Sequence, residues 1–364
     1  MECFRKLVWN SYTREELEQI LIEKPNDEKR KQVQNNWDAI AKPLDGMGSF
    51  ETLTARIGAI TGTDQIDISK KAVVIMCADN GIVEEGVTQS GQEVTYLVAQ
   101  AMGQKRSSVC KMALSIGAEV IPVDIGINSM EEIPGVLNHK IRCGTRNFRK
   151  EPAMAEEEAI RAIAIGIDMV ASCKEKGINL VATGEMGIGN TTTSSAVAAA
   201  IMKCDVNKVT GRGAGLSDSG LIRKQQVIKE AIENYHLFEA DAITVLRTVG
   251  GLDIAGLTGV CIGGALYHIP IVLDGVISMV AALLAERMVP GTRDFLIPSH
   301  KGKEPAIELL AKELRIEPVI DGKLALGEGT GAIMMFSLLD MAMSIYNGRT
   351  NFSDIQVEQY TRFS

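Results

Sequence analysis

Short runs of consecutive apolar residues, each followed by a polar turn and then by a stretch of helical periodicity, constrain this chain more than any other feature. Ala72-Val73-Val74-Ile75-Met76-Cys77 is the first, and Glu119-Val120-Ile121-Pro122-Val123-Asp124 the second. Asn179-Leu180-Val181-Ala182-Thr183, Pro270-Ile271-Val272-Leu273 and Phe295-Leu296-Ile297-Pro298 follow. Between them, 94–116, 155–176, 192–202, 221–235 and 276–287 read as helices. A strand that is apolar on both sides must be covered on both faces, so the pattern predicts an α/β fold: a parallel sheet with helices on each face. Pro122 places its strand near an edge or a strand end. In such sheets ligands lie beyond the carboxyl ends of the strands. Each run here ends in a turn rich in Gly, Asp, Glu, Ser or Asn, and those turns are where chemistry is to be sought.

Both ends of the chain read as helical. Thr13 with Glu16 forms a capping box, and Leu17, Ile20 and Leu21 would share the face of the helix that follows. A polar helix over 27–41 ends at Pro43, and an apolar helix over 332–346 closes the chain. These predict a small helical lobe from 1–60 and 332–364 beside a large α/β domain over 61–331. At 364 residues there is room for one large core and such a lobe.

Composition excludes more than it assigns. A net charge of −8 argues against bulk nucleic-acid or anionic-membrane binding. Seven cysteines without a CxxC pair suit free thiols in a reducing cytoplasm, and four histidines without HExxH spacing argue against a metal hydrolase. The charged start Met1-Glu2-Cys3-Phe4-Arg5-Lys6 does not read as a signal peptide. The apolar region 254–285 is cut by His268, Pro270 and Asp274-Gly275 into pieces shorter than the about 18–20 residues a bilayer requires, so no membrane span is expected.

The strongest local motif is Thr183-Gly184-Glu185-Met186-Gly187-Ile188-Gly189-Asn190-Thr191-Thr192-Thr193, set between a strand and a small-residue helix. Its glycines and the helix N-terminus make a phosphate or carboxylate cradle, with hydroxyls from Thr191 and Thr192. Asn190 stands where a nucleotide P-loop requires lysine, and a turn that only packs helix on strand is the plainer alternative. Glu185 would repel a phosphate, so it is expected to face another part of the ligand. A second cluster, Gly211-Arg212-Gly213-Ala214-Gly215, follows no strand and lacks G-x-G-x-x-G spacing, which makes it weak evidence for NAD. Lys224 on the next helix could reach a phosphate or lie on a solvated face. The third is Gly327-Glu328-Gly329, a lone carboxylate opening an apolar helix. Such a group has a raised pKa and suits a general base; a helix N-cap is the alternative.

Together these motifs resemble the nicotinate-nucleotide–dimethylbenzimidazole phosphoribosyltransferase family, over nearly the whole chain. The resemblance also includes Lys42-Pro43, Ala78-Asp79-Asn80-Gly81, Glu85-Gly86-Val87, Val94-Thr95, Asp274-Gly275 and Ser299-His300 with Glu304-Pro305. It implies a Rossmann-like large domain and transfer of 5-phosphoribose from nicotinate mononucleotide to an aromatic base, with no metal or other cofactor. By position, Glu328 matches the general base and Glu185 a second active-site carboxylate. Gly184, Gly187, Gly189, Asn190, Thr191 and Thr192 match nucleotide contacts, and Lys224 a phosphate contact. Ser90, Val98 and Met186 fall at the base pocket. In well-known members a Ser and a Gln eight residues apart contact the base; here Ser90 is present, but Val98 replaces the Gln. Gly302 stands where a serine is usual. Dimethylbenzimidazole is the first expectation for the base, with purines and phenols such as p-cresol as alternatives. A homodimer is expected, or a heterodimer with a homologous subunit. Two other classes stay open: a non-catalytic nucleotide sensor, and an NAD-dependent oxidoreductase.

Overall fold

Continuous burial along the apolar runs is what the tertiary structure delivers. In the computed structural model, which describes residues 12–362, all eight residues of β1 (Lys71–Ala78) are buried. Residues 1–11 and 363–364 lie outside the described residues, and with them the charged start of the chain and the extremities of the expected lobe. Side chains of β1 alternate between two apolar clusters, as a two-residue period demands. Ala72, Val74, Met76 and Ala78 enter one cluster, and Val73, Ile75 and Cys77 enter the other.

The remaining strands are β2 (Glu119–Gly126), β3 (Leu137–Asn138), β4 (Leu180–Met186), β5 (Ile271–Leu273) and β6 (Leu296–Pro298). They form one sheet in the order β3-β2-β1-β4-β5-β6, parallel at every pairing. This is the Rossmann-like parallel sheet covered on both faces that was expected. Connections leave β1 towards β2 and return to β4 on its other side, so the β1/β4 boundary is the topological switch point where ligands bind. β2 pairs with β1 along its length but meets β3 only at Val123 and Asp124, which leaves Pro122 outside the β3 pairing.

Glycines set how closely the helices approach. The helices Glu156–Glu175 and Leu252–Tyr267 cross with almost no space between their backbones. A Cβ on Gly259 would lie 1.9 Å from the Ile163 carbonyl oxygen, and one on Gly166 2.0 Å from that of Gly256. That crossing fixes where Leu252–Tyr267 begins, and so where Asp253 sits.

Two local expectations are corrected. The first described helix, Arg14–Glu18, has the Thr13/Glu16 capping box and buries Leu17 but stops before Leu21, which is 91% exposed. The stretch read as one helix over 94–116 is two, Glu93–Gly103 and Ser108–Ser115. Lys105 adopts a left-handed φ of 58° between them, and Ser107 caps the second by accepting from the Cys110 N–H. Helix Ala242–Val249 and the short β3 were not anticipated. At the chain ends, Asp27–Ala39 and Thr330–Asn347 both pack on Ser49–Thr61. The Trp37 and Tyr346 rings meet at 5.3 Å. That packing is continuous with the sheet residues Val73 and Ile75.

Candidate active site

The carboxyl ends of β4, β5 and β6, joined by the turn at Glu328, enclose a cavity of about 320 Å³. Glu185 and Met186 finish β4, Asp274 follows β5, and His300 follows β6; all four line it. Glu328 reaches the cavity from far along the chain because its turn packs directly on β4. A Cβ on Gly184 would lie 3.0 Å from the Glu328 carbonyl oxygen, and one on Gly329 2.6 Å from Val73 Cγ2. Glycine at both positions lets the backbones touch. Gly327 has a φ of 79°, and a Cβ there would lie 2.7 Å from Glu185 Oε1.

Asp274 fastens this turn. Its Oδ1 accepts from the Gly331 N–H at 2.9 Å and the Ala332 N–H at 3.1 Å, and its Oδ2 from the Gly329 N–H at 3.2 Å. A carboxylate from β5 therefore caps the helix Thr330–Asn347 in place of any residue of that helix's own turn. The N-cap alternative for Glu328 falls away: Gly329 is the N-cap residue and Asp274 supplies the oxygens. Glu328 instead holds a left-handed φ of 60°, a strained state for a non-glycine residue that is kept at functional sites. It is half-buried, and its Oε2 has no hydrogen-bond partner. Burial pushes its carboxyl up, opposed by a backbone hydrogen bond from Val109 and reinforced by the Asp274 charge.

Glu185 is half-buried, with one edge open to the cavity. Burial, with the nearby Asp253 charge, pushes its carboxyl up to about 8. The Asn190 side-chain amide donates to Glu185 Oε2 and, at 3.1 Å, to Asp253 Oδ2. At this end of the cavity the Glu185 carboxyl thus holds its proton near neutrality until something positive arrives.

The glycine turn is a less open cradle than its sequence suggests. The Ile188 N–H is held by Thr95 Oγ1 at 3.0 Å, and the N–H groups of Asn190, Thr192 and Thr193 by the carbonyls of Gly187 and Gly189. Its contribution to the cavity is the wall from Glu185 to Ile188 and the start of helix Asn190–Met202. The close packing is real as well: a Cβ on Gly187 would lie 2.3 Å from the Ala78 carbonyl oxygen, and Gly189 has a φ of 95°. Among the described residues, no group of three or more His, Cys, Asp or Glu is arranged to hold a metal ion.

Comparison with known proteins agrees with this geometry. Residues 22–357 match a family model described as Phosphoribosyltransferase. A nicotinate-nucleotide–dimethylbenzimidazole phosphoribosyltransferase of Ruminiclostridium cellulolyticum is 42% identical over 339 residues, covering 93% of this chain and 96% of that one. One from Acetivibrio thermocellus is 43% identical over 328 residues, covering 90% and 93%. The crystal structure of CobT from Thermus thermophilus superposes with a TM-score of 0.87 at 34% identity, over 92% of this chain and all of that one. The chain belongs to the nicotinate-nucleotide–dimethylbenzimidazole phosphoribosyltransferase family.

Within this phosphoribosyltransferase, the residues singled out from sequence fall in four places. Glu185, Met186, Gly187, Asn190, Thr191, Val98 and Glu328 line the one cavity. Gly184 and Thr192 are buried outside its wall, and Ser90 and Gly189 line a smaller neighbouring cleft shared with Gly187, Asn190 and Thr191. Lys224 is neither in the cavity wall nor on a solvated face: it is fully buried, with Nζ donating to Thr191 Oγ1 at 3.0 Å and the Gly211 carbonyl at 3.1 Å. Burial pushes its ammonium down to about 8, with Glu304 opposing. Sequence reasoning missed Ser278, which lines the cavity from the first turn of Val276–Met288, with its Oγ unpartnered. A lone serine three residues after Gly275, opening an otherwise apolar helix, was the available signal. Among the described residues no helix is long and apolar enough to cross a membrane.

Proposed function

We propose that this enzyme transfers 5-phosphoribose from nicotinate mononucleotide to 5,6-dimethylbenzimidazole, giving the α-riboside 5′-phosphate and free nicotinate. The observation that carries the reading is the meeting of Glu185 and Glu328 in one cavity, with Glu328 Oε2 unengaged. One ring nitrogen of the base attacks C1′ while Glu328 removes the N–H proton from the other. The C1′–nicotinate bond breaks, and its electron pair returns to the pyridinium nitrogen, so the leaving group departs without a general acid. Glu185 ionises against the cationic pyridinium, which lowers its proton affinity as an opposite charge does.

The phosphate is assigned to the start of the helices Asn190–Met202 and Val276–Met288. Thr191 and the Ser278 hydroxyl face it there, and the buried Lys224 charge stands behind Thr191. Met186 and Val98 take the base, with Ser90 at the neighbouring cleft. The dimer, the division into 61–331 and a lobe of 1–60 with 332–364, and a cytoplasmic setting belong to the same proposal. Met334, Met341 and Ile345, exposed on helix Thr330–Asn347, support the dimer. The unpaired thiols of Cys77, Cys110, Cys143, Cys173, Cys204 and Cys261 support a reducing compartment.

Incubation with nicotinate mononucleotide and, in turn, dimethylbenzimidazole, adenine and p-cresol tests the reading. Mass spectrometry is expected to show nicotinate and the dimethylbenzimidazole riboside phosphate as the principal pair. Absence of product with every base would refute it. Light scattering of the purified chain tests the dimer, which a monomer mass would overturn.

A further inference from the structure

We propose that Asp253 is a positioning residue that controls donor binding without touching the donor, acting through Asn190 on Glu185. Asp253 is fully buried at the start of helix Leu252–Tyr267 and does not line the cavity. Its Oδ1 accepts from its neighbour's N–H, that of Ile254, at 2.9 Å, which fixes the rotamer. Its Oδ2 accepts from Asn190 Nδ2 at 3.1 Å, and the same Nδ2 donates to Glu185 Oε2. One amide nitrogen therefore bridges a carboxyl inside the wall and a carboxyl on its surface. The space is closed on the far side: a Cβ on Gly187 would lie 2.6 Å from Asp253 Oδ2, and one on Gly251 2.4 Å from Asp253 Oδ1. Asp253 cannot swing away from the bridge.

Two carboxyls joined in this way titrate as a pair. The first proton is lost readily and the second only against the charge already present. Burial holds Asp253 up at about 7 and Glu185 at about 8. The other titratable groups around Glu185 are the carboxyls of Asp274 after β5 and Glu328 in its turn, with His300 after β6 beside Asp274. Around Asp253 stand Asn190 and Asn80, and Cys77 of β1 lies near both carboxyls. Lys303 and Glu304 also line the cavity. Asp253 ionises first, and its charge then opposes loss of the proton from Glu185, which must ionise to face the arriving pyridinium. Asp253 so determines the pH above which the donor is held.

This inference rests on nicotinate mononucleotide being the donor, and the test separates the two. Calorimetric titration of the full chain with nicotinate mononucleotide, from pH 5.5 to 9, is expected to show affinity falling as pH drops through the pair's titration. Asp253→Asn removes the charge that opposes Glu185 ionisation, so its limb moves to lower pH by about one unit, the scale of a strong like-charge pair. Relative to its own high-pH plateau, the variant then binds up to about tenfold better than wild type below the limb. Asn190→Ala removes the donor that favours ionised Glu185, so its limb moves to higher pH. A merely structural role lowers affinity equally at all pH values and moves neither limb. Limbs that stay in place, or move in the same direction in both variants, overturn the inference. No binding by the wild-type chain overturns the donor assignment and the inference with it.

Discussion

Removing the Asp274 carboxylate tests whether β5 holds the Glu328 turn in place. Asp274→Ala deprives the Gly329, Gly331 and Ala332 N–H groups of their acceptor, and all three residues are buried. Each buried N–H left unpaired costs about 1–3 kcal/mol, so the gross loss is about 3–9 kcal/mol. Part of this is offset, because the buried carboxyl no longer bears its own desolvation and water can enter from the cavity. A net loss of about 2–4 kcal/mol follows. That should lower the melting temperature by about 3–5 °C in a chain of this size. Asp274→Asn keeps one acceptor oxygen and is expected to lose roughly half as much. The freed turn carries Glu328, and a base misplaced by about 1 Å should cost kcat up to about a hundredfold. Thermal melting followed by circular dichroism, together with nicotinate release measured at saturating substrates, reads both effects. An Asp274→Ala protein that melts with the wild type and turns over at its rate would refute the account of the Glu328 turn.

Glu328→Gln should keep nicotinate mononucleotide binding and lower kcat by about 10²–10⁴, the range for a lost general base; unchanged turnover would exclude the role. Because the Glu328 carboxyl is raised, kcat should fall as pH drops through a value above the ordinary glutamate range, and a rate flat down to pH 5 would contradict this. Buried Asp253 holds its proton more tightly folded than unfolded, so its contribution to stability is present at low pH and is lost as pH rises towards about 7. Asp253→Asn should therefore gain melting temperature relative to wild type between pH 5 and pH 8 in the absence of donor; a constant difference would argue against a protonated Asp253. Val98→Gln places an amide in the cavity wall and should lower KM for dimethylbenzimidazole relative to p-cresol, read from competition assays with both bases present.

The order of strands and helices was legible because burial on two faces leaves a one-dimensional trace: a strand such as Val73-Val74-Ile75 can be apolar throughout only inside a covered sheet. The Gly184 turn and Glu328 were legible for a related reason, since glycines around a carboxylate mark backbone contact and a lone titratable group. The break at Lys105 was not, because a single left-handed residue between two helices leaves the apolar period on both sides intact. Nor was the fate of Lys224, whose helix reads as amphipathic while the residue turns inward on Thr191. Which oxygens cap Thr330–Asn347, and which carboxyl lies behind Asn190, depend on groups from distant segments of the chain meeting at the carboxyl end of the sheet. Sequence by itself determined the parallel α/β sheet, the turns that bear chemistry and the family. Tertiary structure alone decided that Asp274 holds the Glu328 turn and that Asn190 joins Glu185 to Asp253. The physical reason is that periodicity and turn chemistry are local, whereas a hydrogen bond between distant residues exists only once packing has brought its donor and acceptor within about 3 Å.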